Sequence, residues 1–105
     1  MKLPAMSSGG SNDDTGWKTV NSYLKYRIIN EIVYVWVKTD SAHSTWTTIG
    51  TLPAEAIPAE AHNGCPYSYN NLSVNFIIYP VTGAVDVVNP TNVGSMTCDF
   101  IYPKA

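Results

Sequence analysis

At 105 residues the chain has the length of one domain, able to bury about two-thirds of its unfolded surface in a single core. Only 13% of its residues are charged against 45% hydrophobic, and five Lys and one Arg within a net charge of −2 form no basic footprint for nucleic acid. No apolar run approaches the ~20 residues that cross a bilayer. Polarity rests instead on nine Ser, ten Thr and nine Asn, groups that suit a neutral, hydrogen-bonding partner such as a sugar.

Met1–Met6 carries one Lys and no long apolar segment, so it does not read as a signal peptide. A Met directly before a low-complexity stretch is what a fragment of a longer protein would show. Ser7-Ser8-Gly9-Gly10-Ser11-Asn12-Asp13-Asp14 has linker composition. Residues 1–15 are therefore expected to form a flexible lead and residues 16–105 the folded domain. Asn12, Asp13 and Asp14 offer oxygens that calcium accepts, but a site needs six or more. A solvated linker is the expected state, with no metal and no cofactor.

Short strands separated by turn residues follow, without helical periodicity. Trp17–Val20 is the first. Leu24–Ile29 alternates, with Leu24, Tyr26 and Ile28 facing inward, and Asn30-Glu31 can reverse the chain because Asn tolerates positive φ. Ile32–Lys38 is apolar on both faces: Ile32, Tyr34 and Trp36 on one, Val33, Val35 and Val37 on the other. Such a strand is central or covered by a partner subunit, so Val33, Val35 and Val37 are candidate interface residues. Core burial is expected for Trp36, half-exposure for Trp17 and Trp46.

Trp46–Leu52 is the fourth strand, and pairing should stop at Leu52-Pro53, since Pro53 and Pro58 cannot donate to a ladder. Pro53–Asn71 reads as a long loop. Leu72–Tyr79 alternates, with Leu72, Val74, Phe76 and Ile78 inward. Thr82-Gly83 turns into Ala84–Val88, and Met96–Tyr102 closes the chain with Met96, Cys98, Phe100 and Tyr102 on one face. About seven short strands predict an all-β fold, a jelly-roll-like antiparallel sandwich.

Alternating connections would gather the Asn30-Glu31 turn, the Pro53–Asn71 loop and the Asn89–Ser95 loop at one end. Tyr67, Tyr69, Asn70, Asn71, Asn92 and His62 would meet there. Tyrosine rings stack on pyranose faces and amides bond to hydroxyls, so these six are the candidate carbohydrate site. The alternative is that the tyrosines merely pin a long loop.

Catalytic patterns are weak. No Gly-x-Ser-x-Gly elbow occurs. His43 and His62 read as solvated loop histidines, and Glu55 and Glu60 are the only neighbouring acids that could share a surface. Cys65 and Cys98 are too few for a disulfide framework or a zinc site and are expected as reduced thiols.

The order Gly16-Trp17-Lys18, Tyr26-Arg27-Ile28-Ile29, Ile32–Val37, Thr48–Pro53, Ile77–Val88 and Asp99–Tyr102 resembles the small β-sandwich head domains of bacteriophage tail fibres and baseplates. Where relatives often carry Gly, an aromatic and Arg between the two prolines, this chain has Glu55, Ala56 and Ile57. The resemblance implies a non-catalytic virion (or prophage-derived) protein at the tail tip or baseplate, made in the bacterial cytoplasm. It implies a homotrimer that contacts other tail proteins and attaches the particle to host surface saccharide. Trimer multivalency would strengthen weak single sites. A structural module binding another virion protein is the second expectation. A module cut from a secreted enzyme is the third, and would require an exposed row of aromatics on a sheet face; an enzyme comes last.

Overall fold

The computed structural model describes residues 13–90 and 94–105. Eight strands, β1 (Lys18–Asn21), β2 (Leu24–Ile29), β3 (Ile32–Thr39), β4 (His43–Thr51), β5 (His62–Tyr69), β6 (Leu72–Ile78), β7 (Ala84–Asn89) and β8 (Met96–Pro103), form two antiparallel sheets. Their orders are β1-β2-β3-β8 and β4-β7-β6-β5. The first sheet is a meander closed by β8; the second has Greek-key order. The result is an all-β sandwich, with one strand more than the seven expected. Among the described residues no helix is long and apolar enough to cross a membrane.

Alternation builds the core. Leu24, Tyr26 and Ile28 of β2, Val33, Val35 and Val37 of β3, and Phe100 and Tyr102 of β8 pack against Val74, Phe76, Ile78, Val85 and Val87. The Asn30-Glu31 turn forms as expected, with φ of 48° and 71°. Two positive φ values are the primed hairpin geometry that matches strand twist. This turn fixes the register Ile28↔Val33, Tyr26↔Val35 and Leu24↔Val37. Val33, Val35 and Val37 therefore share the inner face of β2 and are 0%, 1% and 0% exposed within one chain. They are core residues, which corrects their assignment to a subunit interface.

The Leu-Pro step also behaves as read. Leu52 N–H makes a bond to Gly83 O at 2.9 Å, and Pro53 leads into a 3-10 turn, Ala54–Ala56. Buried Leu52 and Ala56 anchor this crossing. Glu55 accepts from the Tyr26 hydroxyl and from Lys18 Nζ at 3.1 Å, and Tyr102 donates its hydroxyl to Ala56 O. Those two donors, Tyr26 first and then Lys18, hold the Glu55 carboxyl below its ordinary range.

The long loop is the main correction. Residues His62–Tyr69 form edge strand β5, paired with β6. Pro66 and the register shift between Gly64 and Tyr67 broke the alternation that would have betrayed it; both devices also blunt an edge against stray pairing. Leu72, expected inside, is exposed at the hairpin tip opposite Tyr69. Residues 1–12 of the expected linker lie outside the described residues. Residues 13–15 do not float: Asn30 N–H donates to Asp13 O and Thr15 N–H to Ile28 O.

Candidate functional site

The extra strand redistributes the expected saccharide site. With β5 in place, the Asn30-Glu31 turn and residues 52–61 lie at one end of the sandwich. The Asn70-Asn71 turn and residues 40–42 lie at the other. His62 is thus separated from Asn70 and Asn71 by the length of β5. Its ring stacks on Tyr102 at 4.8 Å, in a small recess with Glu60 rather than in a solvated loop. Asn70 and Asn71 have φ of 51° and 63° and are the turn residues of a tight hairpin. Tyr67 is half-buried against the core, Tyr69 is 65% exposed at the tip, and Asn92 lies outside the described residues. The five described residues of the six do not converge.

The two outer faces differ in kind. On the second sheet, Thr48, Asp86, Ile77 and Asn63 form one row and Val88 and Asn75 the next, with Thr48 Oγ1 donating to Asp86 Oδ1 at 2.6 Å. On the first sheet the rows are Lys25–Trp36–Asp99 and Arg27–Tyr34–Ile101. Trp36 is therefore on the outside, half-buried, not in the core. Trp17 and Ile101, 48% and 64% exposed, flank Tyr34 and Asp99 in a cleft of about 230 Å³. Three aromatic residues, Trp17, Tyr34 and Trp36, share this face.

Charge holds the platform in shape. Lys25 Nζ lies 5.2 Å from the Trp17 ring centroid and 4.7 Å from that of Trp36, a cation between two indoles that fixes their spacing. Arg27 grips Asp14 through Nε at 2.9 Å and Nη2 at 2.6 Å. That bidentate pair, followed by the Gly16 N–H, lowers the Asp14 pKa to about 2. It ties the segment before Trp17 alongside β2, where Asp14 pairs with Ile29.

The signal for this face was present in the sequence. A two-residue turn between strands whose first partner faces Leu24, Tyr26 and Ile28 inward requires Val33, Val35 and Val37 to face inward too, and leaves Tyr34 and Trp36 outside. Among the described residues no group of three or more His, Cys, Asp or Glu is placed to hold a metal ion. Cys65 and Cys98 are free thiols, with burial raising the Cys98 pKa. No protein-family model, curated protein or solved structure matches this chain.

Proposed function

We propose that this domain is a non-catalytic binding module that holds a saccharide on the outer face of the β1-β2-β3-β8 sheet. The observation that carries the reading is the grouping of Trp17, Tyr34 and Trp36 on one sheet face, with a cleft there lined by Trp17, Tyr34 and Asp99. Flat rings offer a pyranose an apolar stacking surface, while a carboxylate and an ammonium beside them accept from and donate to its hydroxyls. The placement of this module as the head of a phage tail or baseplate protein, trimeric and directed at a host surface glycan, rests on the resemblance drawn from residues 16–102.

A second reading, docking to another virion protein, is favoured by Ile101 at 64% exposed beside Ile32 on the same face. A glycan array with wild type, Trp17→Ala and Trp36→Ala separates the two. Saccharide binding weakened about tenfold or more, equivalent to about 1.4 kcal/mol, in variants whose thermal melts match wild type, supports the sugar reading. Absence of binding to every glycan by the folded wild type overturns it.

A further inference from the structure

A cleft of about 300 Å³ lies where β3 turns into β4 and is lined by Tyr23, Lys38, Asp40, Ser41, His43 and Thr48, among others. Its wall is built rather than loose. Thr39 and Asn89 are 2% and 0% exposed, and Thr39 Oγ1 and Asn89 Nδ2 both donate to Ser41 O, at 3.2 and 3.3 Å. Two buried donors on one carbonyl fix residues 40–42 from beneath. Above them, Ser41 Oγ and His43 Nε2 stand 3.4 Å apart at the surface. Hydroxyl, phenol, ammonium, imidazole and carboxylate groups thus surround a cleft with Ile49 as its apolar part.

Strand β3 contributes to both this cleft and the aromatic platform. Lys38 follows Tyr34 and Trp36 on the outward side of β3, whose burial alternates strictly along its length, and Lys38 is also a wall of the corner cleft. From Tyr34 to Asp40 the chain advances ~20 Å at ~3.3 Å per residue. One strand therefore carries a stacking surface, then an indole under a lysine, then a hydrogen-bonding cleft. A single sugar fills only one of these.

We propose that the ligand is an extended glycan chain of several pyranose rings lying along β3, its apolar faces on Trp17, Tyr34 and Trp36 and its far end in the Lys38–His43 corner. This rests on the saccharide reading above and adds chain length to it.

The test is titration calorimetry of the whole chain with a ladder from mono- to hexasaccharide of each glycan class retained on the array, wild type beside Lys38→Ala/His43→Ala. Affinity should climb with length and level off once the corner is filled. The double variant should lose roughly tenfold on the hexasaccharide, about 1.4 kcal/mol, and nothing on the disaccharide. A ladder flat from the monosaccharide upward, or a double variant as tight as wild type on the hexasaccharide, overturns the inference and leaves the platform standing. Absence of binding at every length removes the saccharide reading itself. The wild-type ladder decides the matter even where the variant does not fold.

Discussion

Replacing Gly64 with alanine drives one methyl group into the seam between the sheets. A Cβ at that position would stand 2.5 Å from Cys98 Sγ and 3.0 Å from Phe100 Cζ. Neither neighbour gives way freely, because Cys98 packs against the core and Phe100 is buried in it. Gly64 does not use a positive φ, so alanine suits its backbone and even regains roughly 0.5–1 kcal/mol of chain entropy. The cost is steric, of the overpacking kind, about 1–3 kcal/mol. The net expectation is a loss of about 1–2 kcal/mol and a Tm lower by roughly 5–10 °C. Urea unfolding followed by tryptophan fluorescence on wild type, Gly64→Ala, Cys98→Ala and the double variant measures it. Cys98→Ala removes the nearer obstacle, so the double variant should be more stable than the sum of the singles by about 1 kcal/mol. A Gly64→Ala protein as stable as wild type, or strict additivity, would refute the seating of β5 against β8.

Burial, then the hydrogen bond to Glu55, pushes the Tyr26 pKa up to about 12, and burial raises Tyr102 further. The unfolded chain sheds these protons first, near pH 10, so stability is intact below that pH. It should fall as pH rises towards 12, by up to about 1.4 kcal/mol per pH unit for each phenol; a urea midpoint equal at pH 9 and pH 11 would contradict this. Val81 has φ of 70°, is 89% exposed, and is spanned by Thr82 N–H to Pro80 O at 2.7 Å. A β-branched residue at the centre of such a turn is strained, so Val81→Gly should stabilise by about 1 kcal/mol, and a Tm unchanged or lowered would show that the turn is not strained.

The fold was legible wherever one face was apolar and the turn chemistry was local. β2, β3, β6, β7 and β8 all register as alternation or as doubly apolar runs, and Asn30-Glu31 announces its own turn. β5 was hidden because its stretch, His62-Asn63-Gly64-Cys65-Pro66-Tyr67-Ser68-Tyr69, carries a proline, a glycine and only scattered apolar residues. An edge strand held by one neighbour needs no apolar stripe, and its glycine is required by the close approach of Cys98 rather than by a turn. Missing one strand reversed the end assigned to each following loop, which is how His62, Asn70 and Asn71 came to be grouped. The aromatic face was hidden differently: β3 is apolar on both sides, so its own pattern does not say which side is inner, whereas its pairing with Leu24, Tyr26 and Ile28 places Trp36 outside.

The crossing after Leu52 is where this chain departs from the pattern it resembles, and its contacts explain what that segment does here. Glu55 is engaged by Tyr26 and Lys18, the Ala56 carbonyl by Tyr102, and the Ala56 and Leu52 side chains by the core. Ile57 sits close enough to Gly83 that a Cβ there would meet its Cγ1 at 2.8 Å. Glu55, the Ala56 carbonyl and the buried side chains of the crossing are thus engaged in holding it to the sandwich. A segment so occupied sets the geometry of the sandwich, and the saccharide reading proposed above places recognition on the outward side of β3 instead.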